Sequence, residues 1–436
     1  MVVFPDKADL TVPIRLKNIF LTLTVSLLTV FAAAGGSSAV EIPEEAAEPS
    51  SGSADTLRVS VLTCYPGEEV YELYGHTGLR IRSSRFDSVW NYGVFDFHQP
   101  NFILRFSLGE TDYMVVGEQF EQFIYPYRIQ SRAVVEQELN LTQSEAGHLL
   151  SLMRENALPE NRVYRYNYLN DNCATRVFDQ IVLSTKDSIL INTPRRYASY
   201  RKAMKAYHGA SKWYNLGIDI ALGSDVDKPI TAREQLFIPL ELYHALSEMT
   251  LGDGRKLVKN TSVLFGEENK YEKKHTSDTC SPMFWFSILN FICAGCCMWY
   301  LYRRKINRVV YTLAYSVIGI GGLFVFYLTF VSSHPATSPN YLLVWLNPIG
   351  LIVPACIWVK GNKMRWIMYS YMVANSVGIL VFLLLWPVFH QFINYSLLPL
   401  VVADMMFSVT YILIYFNEFF QKFQKSAPDS CPYKKK

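Results

Sequence analysis

The hydrophobic pattern of this chain changes character near residue 282. Beyond it, five long apolar runs follow one another, roughly 283–302, 309–331, 341–359, 366–389 and 396–418. Each is close to the ~20 residues that cross a bilayer core, which predicts an all-α five-helix transmembrane bundle. Before residue 266 the pattern is that of a soluble α+β domain. Leu57–Thr63 (LRVSVLT), Gly78–Arg82 and Val89–Phe97 (VWNYGVFDF) read as strands, from alternation and branched or aromatic residues. Ser144–Asn156 reads as a helix with Thr142 as N-cap, and residues 162–169 as extended. Cys173–Leu183 reads as a second helix, with Val177, Phe178, Ile181 and Val182 at helical spacing and Asp171 or Asn172 as its cap.

Shorter signals set the boundaries. Residues 19–34 are apolar, follow Arg15 and Lys17, and precede a small-residue stretch. That order predicts a signal peptide or an uncleaved anchor within 1–40. Residues 41–56 are acidic and Pro/Ser-rich, as a linker is. The soluble domain then occupies 57–265, a charged hinge 266–282, the membrane domain 283–418 and a tail 419–436. The loops 303–308 (RRKINR) and 360–365 (KGNKMR) and the Lys434–Lys436 end are basic, whereas 332–340 and 390–395 carry no Lys or Arg. The positive-inside rule makes the basic loops cytoplasmic. With five crossings, the tail is cytoplasmic and the soluble domain outside, which agrees with an export signal.

Composition sharpens this picture. Of 436 residues, 50% are hydrophobic and 18% charged, a deficit of charge concentrated in the membrane half. A net charge of +3 and the lack of any basic patch interleaved with aromatics exclude nucleic acid as a partner. Of eight cysteines, Cys293, Cys296, Cys297 and Cys356 lie in apolar runs and Cys431 in the tail. Cys64 and Cys280 are free to pair, though nothing requires it, and Cys173 is left as a lone exported thiol. His98, His148, His208, His244 and His275 lack metal-ligand spacing, and neither a metal nor a cofactor is expected.

Two constellations carry chemistry. Tyr74-Gly75-His76-Thr77-Gly78 places a histidine between glycines at the start of a strand. Asp171-Asn172-Cys173 places a cysteine at a helix N-terminus, where the dipole and unpaired N–H groups favour a thiolate and can hold an oxyanion. Each alone also fits a packed core residue. Together they form the nucleophile and base of a thiol enzyme. Asn91 is the candidate orienter of His76, across a predicted hairpin, with Asp96 second.

The order of histidine, polar strand residue and helix-capping cysteine resembles circularly permuted papain-like enzymes of the NlpC and lecithin:retinol acyltransferase types. The resemblance then narrows. Leu62-Thr63-Cys64-Tyr65-Pro66-Gly67, Tyr74-Gly75-His76-Thr77, Asn91-Tyr92-Gly93-Val94-Phe95-Asp96-Phe97, Tyr166-Asn167-Tyr168, Asp171-Asn172-Cys173, Gly217-Ile218-Asp219, Leu222-Gly223 and Phe237-Ile238-Pro239 look like the Lnb periplasmic-domain family. His334-Pro335 and Asn340 through Pro348 (NYLLVWLNP) extend the match into the membrane half. The resemblance implies a lipoprotein N-acyltransferase of the bacterial inner membrane, with its soluble domain in the periplasm. It implies a phospholipid acyl donor in the lipid bilayer, a Cys173 thioester, and a diacylated apolipoprotein acceptor.

Further candidates follow from position. Tyr74, Asn172 and Arg176 adjoin the two motifs, and Arg176 has either Asp171 or a lipid phosphate as partner. His334, Asn340 and Asn347 lie at outer ends of spans, where polar groups are often functional. Asp404 sits within the fifth run and needs a partner. Two rival readings stay open at this level. One is a membrane-anchored cysteine hydrolase acting on peptidoglycan or peptides. The other is a non-enzymatic receptor or assembly factor in which Cys173 is packed.

Overall fold

The computed structural model describes residues 56–426 apart from 68, 70, 71, 96–100, 187, 188, 209–211 and 268–280. The expected leader, nearly all of the linker, most of the hinge, Asp96, Cys280 and the end of the tail lie outside the described residues.

The first half builds β1 (Arg58–Cys64), β2 (His76–Arg82), β3 (Asp87–Val94), α1 (Phe102–Leu108), β4 (Asp112–Gln119), α2 (Phe120–Ile129), β5 (Val134–Leu139), α3 (Gln143–Asn156), β6 (Val163–Arg165) and α4 (Cys173–Ser184). It continues with β7 (Ile189–Leu190), α5 (Tyr200–Tyr207), α6 (Lys212–Ala221), α7 (Pro239–Leu246), β8 (Thr250–Leu251) and β9 (Val258–Phe265). Seven strands form one antiparallel sheet in the order β6-β4-β3-β2-β1-β5-β9.

Strand alternation sends side chains to two buried faces. Val59, Val61, Leu79, Ile81, Trp90 and Tyr92 pack against Leu149 and Met153 of α3 and Val177, Phe178 and Ile181 of α4. Leu62, Cys64, Val89 and Val134 face the other way, onto Phe123 and Ile124 of α2. Six of the seven β1 residues are buried, as in a central strand. The predicted helices form where their caps stand: Thr142 accepts from Glu145 N with a reciprocal capping box, and Asn172 rather than Asp171 caps α4. The third predicted strand forms through Val94, and the end expected for it at Phe97 lies outside the described residues.

The second half contains α8 (Pro282–Arg303) and α9 (Arg308–Phe330), then α10 (Ile352–Cys356), α11 (Asn362–Leu385) and α12 (Leu398–Ser426). Four helical stretches are long and apolar enough to cross a membrane: α8, α9, α11 and Tyr395–Phe416. The third expected helix is not continuous. Residues 341–359 form 3₁₀ turns at Tyr341–Val344 and Pro348–Leu351, then the short α10. Pro348 lacks the N–H that would continue a helix from Tyr341–Val344 and instead opens the second 3₁₀ turn, while Pro354 lies within the first turn of α10. The broken segment nonetheless runs down α9. A Cβ on Gly322 would come within 2.3 Å of Asn347, and one on Gly319 within 2.6 Å of Leu351. Near the far end, Trp358 Nε1 donates to Thr312 Oγ1 at 2.9 Å. Small residues on α9 allow this close backbone approach.

The sheet domain sits on one end of the helices, and the basic loops join them at the other. Ser333 N donates to Leu108 O at 2.7 Å, Gly223 N to Ala336 O at 2.8 Å and Ser224 N to Pro339 O at 2.8 Å. A buried ionic node completes the joint. Arg201, 1% exposed, meets Asp219 at 3.2 Å and Asp227 at 2.9 Å. Asp219 also accepts from Asn394 at 2.8 Å, and Asp227 from the N–H of Phe392 at 2.9 Å.

Candidate active site

Cys173 opens α4, and its surroundings follow from the cap. Asn172 Oδ1 accepts from the N–H groups of Ala174 at 2.9 Å and Thr175 at 3.0 Å, which leaves the N–H of Cys173 over. Asn172 Nδ2 donates to the carbonyls of Tyr168 and Phe237, both at 2.8 Å, pinning the preceding loop. Burial pushes the thiol pKa up. The facing charge and hydrogen bond of His76, with backbone N–H donation from Thr77 and Ala174, outweigh burial and hold Cys173 below the ordinary 9.0.

His76 opens β2, directly after a turn at Gly75. That glycine has φ +78°, and a Cβ there would lie 2.5 Å from Cys64 O, so the turn takes glycine. β2 pairs with β3 so that Gly78 lies opposite Asn91, two residues from His76 on the same face. The Asn91 amide closes the distance: its Oδ1 accepts from His76 Nε2 at 2.7 Å. Its Nδ2 donates to Glu118 Oε1 at 2.9 Å. A carboxylate only accepts, so the amide NH₂ must face Glu118 and the amide oxygen must face the ring. The Nε2 proton is thereby fixed, and Nδ1 is the nitrogen left for the thiol. Burial pushes His76 down. The Cys173 charge and hydrogen bond, with the Asn91 bond, outweigh burial and raise its pKa above 6.5. Burial also raises Glu118, opposed by Asn91 and His76. A short chain therefore runs Cys173, His76, Asn91, Glu118. Such a chain can hold a thiolate against an imidazolium and move a proton between them.

A second thiol lies beside the first. Cys64 pairs with His76 across β1 and β2, and burial pushes its pKa up to about 12. Among the described residues Cys64 makes no disulfide. Two cysteines near one histidine thus differ in kind, because only Cys173 has helix N–H groups and the imidazole aimed at its sulfur.

The other predicted residues divide by position. Asp171 pairs with Arg176, whose Nη2 lies 2.8 Å from Asp171 Oδ2 and whose guanidinium stacks 3.5 Å over Tyr164. Tyr74 is hydrogen-bonded to His208, whose Nδ1 in turn meets Asn215 Oδ1 at 2.9 Å. Burial lowers the His208 pKa, against the opposing hydrogen bond of Asn215. His334 Nε2 donates to Phe106 O at 2.9 Å and sits at the joint between the halves. Asn340 clamps that joint, giving Nδ2 to Ile220 O at 2.9 Å and taking Gln391 Nε2 at 2.9 Å. Asn347 turns its Nδ2 to Trp345 O at 3.2 Å, within the interrupted segment. Asp404 lies in the helices, accepting from Asn375 at 2.9 Å. Sequence reasoning missed Glu118, because only the β3–β4 register brings it behind Asn91.

Comparison with known proteins completes the assignment. The Lnb N-terminal periplasmic domain matches residues 47–205, and the Lnb transmembrane domain matches residues 274–418. The chain belongs to the Lnb family. No curated protein and no solved structure matches it. The Lnb periplasmic match contains the whole chain from His76 to Cys173, with Asn91 and Glu118. The Lnb transmembrane match contains the interrupted segment and His334. Lnb membership makes this a membrane protein with a periplasmic N-terminal domain, of the lipoprotein-modifying kind.

Proposed function

We propose that this Lnb-family protein is a lipoprotein N-acyltransferase with Cys173 as nucleophile, His76 as acid and base, and Asn91 as orienter. The observation that carries the reading is the hydrogen-bonded chain at Cys173 and His76, held on the end of an apolar helical domain. His76 Nδ1 takes the Cys173 proton. The thiolate attacks a phospholipid ester carbonyl, and the Cys173 N–H at the start of α4 donates to the oxyanion. The C–O bond breaks, and the imidazolium gives its proton to the departing lysolipid. The thioester remains on Cys173. The N-terminal amine of a diacylglyceryl-cysteine lipoprotein then attacks, the C–S bond breaks, and His76 takes the amine proton. An apolar surround favours the amine over water. The periplasmic domain is a permuted papain-like unit in this reading. The membrane domain lies in the inner membrane, crosses five times and leaves the C-terminus in the cytoplasm.

The test is mass spectrometry of a reporter lipoprotein in a host lacking its own N-acylation enzyme. Expression of this chain adds one amide-linked acyl group, and Cys173→Ala and His76→Ala each abolish it while the protein still accumulates. A reporter that stays diacylated overturns the reading.

A further inference from the structure

We infer that α6 is an interfacial helix whose partner is the lipid surface, with Trp213 and Gly217 facing the acyl chains of the periplasm-facing leaflet. The inference goes beyond the acyl-transfer reading and does not depend on it. Neither Lnb match covers α6, since one ends at residue 205 and the other begins at residue 274.

The sequence of α6, KWYNLGIDIA, divides into two faces. At about 100° per residue, Trp213, Leu216, Gly217 and Ile220 share one side, and Asn215 and Asp219 share the other. The polar side faces the sheet domain. Asn215 Oδ1 meets His208 Nδ1 at 2.9 Å, and Asp219 meets Arg201 at 3.2 Å. The apolar side faces the membrane half. Leu216 is buried in one cluster with Val325, Trp345 and Phe382, and Ile220 packs against that cluster. A helix lying in a membrane interface divides in this way.

Depth follows from the partners. Trp213 meets Phe286 edge-on, with ring centroids 5.7 Å apart. Phe286 is the fifth residue of α8, about 6 Å inside that span by helical rise. Val325 lies five residues inside the end of α9, about 7.5 Å by the same rise. The apolar side of α6 is therefore level with the outermost turns of two spans rather than above them. Its last carbonyls are satisfied from the membrane half. Ile220 O accepts from Asn340 Nδ2 at 2.9 Å, and Leu222 O from Gln391 Nε2 at 3.3 Å. A helix end so partnered can lie where water is scarce.

Part of the apolar side stays open. Trp213 is 47% exposed although it touches Phe286. Gly217 is exposed, and a Cβ added there would meet nothing within 4 Å. The patch continues onto α8, where Trp285 and Leu289 are exposed on a helix long and apolar enough to cross the bilayer. Continuity with that surface selects lipid as the occupant, and an indole there matches the aromatic belt of membrane interfaces. The same helix is linked to the candidate site. His208 joins Asn215 to Tyr74, two residues before His76. A helix held by the leaflet thus backs the turn that precedes His76.

The test reconstitutes the full chain in phosphatidylcholine vesicles, with a benzophenone amino acid in place of Trp213 or of Gly217. Irradiation is expected to attach phospholipid at both positions, as for the same probe at Val317 on the outward side of α9, and not at Lys259 on β9. Attachment at Val317 but at neither α6 position overturns the inference, because α6 would then lie in water. A cross-link from α6 to a second copy of the chain overturns it too, because the partner would be protein. If the benzophenone variants do not fold, Trp213→Phe keeps a ring against Phe286 and supplies a second measurement. The fluorescence lost in Trp213→Phe is expected to be quenched at least twofold by lipids brominated on their acyl chains, and an unquenched difference overturns the inference. Both measurements read α6 whether or not Cys173 becomes acylated.

Discussion

Asn91 and Glu118 are joined by a 2.9 Å hydrogen bond from Nδ2 to Oε1, and this bond dictates which way the Asn91 amide faces. The amide oxygen is left for His76, and the histidine tautomer follows. A carboxylate two residues removed from the thiol thus sets the proton-accepting atom of the base. Glu118→Gln keeps an acceptor for Asn91 but removes the charge that supports the imidazolium. The alkaline limb of the transfer profile is expected to move to lower pH. Glu118→Ala leaves the amide free to turn, and kcat/KM should fall about tenfold or more for a lost charge-assisted bond. A purely structural Glu118 would lower the yield of folded protein without moving the pH profile.

The two pKa directions predict a bell-shaped pH profile. Cys173 is lowered from 9.0, so its thiolate is present at lower pH than in an ordinary thiol and is lost as pH falls through that lowered value. His76 is raised from 6.5, so the imidazolium that would protonate the leaving group in the proposed reaction persists above that value and is lost as pH rises. The two limbs belong to the pair rather than to either group. Alkylation of Cys173 followed against pH should show a midpoint below 9.0, and His76→Ala should shift it upward by removing the facing charge. A midpoint unmoved by His76→Ala contradicts the pairing.

Gly75→Ala should damage the site without touching a reacting group. The added Cβ meets Cys64 O at 2.5 Å in a turn with φ +78°, so the backbone before His76 must move. A shift of even ~1 Å in a positioned base costs about a hundredfold in rate. Turnover and thermal unfolding measured side by side should show a far larger loss in kcat than in Tm.

Arg201 is the expected weak point of the joint. It is buried between Asp219 and Asp227, and both carboxylates also bind the loop before α12. Arg201→Ala leaves two buried carboxylates without their shared partner, a change worth about 3–5 kcal/mol. Thermal unfolding of the full chain in detergent should show a Tm lowered by several degrees. Alkylation of Cys173 in the folded fraction should persist, because the ionic node lies apart from the thiol.

Local chemistry is what the sequence reports well. The α4 start was legible because Asn172 and Cys173 are neighbours, and the α3 start because Thr142 and Glu145 make a capping box within one turn. The apolar runs were legible because length and composition suffice for a span. The third run shows the limit. Its composition is that of a span, yet Pro348 interrupts it, and the segment lies as 3₁₀ turns and a short helix against the glycine face of α9. Whether backbone groups freed by proline find partners depends on a neighbouring helix.

By itself the sequence determined the two solvents, Cys173 and His76 as the candidate nucleophile and base, and the hairpin that puts Asn91 near His76. Those rest on periodicity and on contacts within about 20 residues of chain. Only the tertiary structure decided that Glu118 stands behind Asn91, that Cys64 lies beside His76 with its pKa raised by burial, and that His334 docks on Phe106. Each of those contacts is made by sheet register or by docking across more than 200 residues of chain in the case of His334 and Phe106. Such contacts leave no periodic trace in the sequence, because the partners meet only once both surfaces have formed.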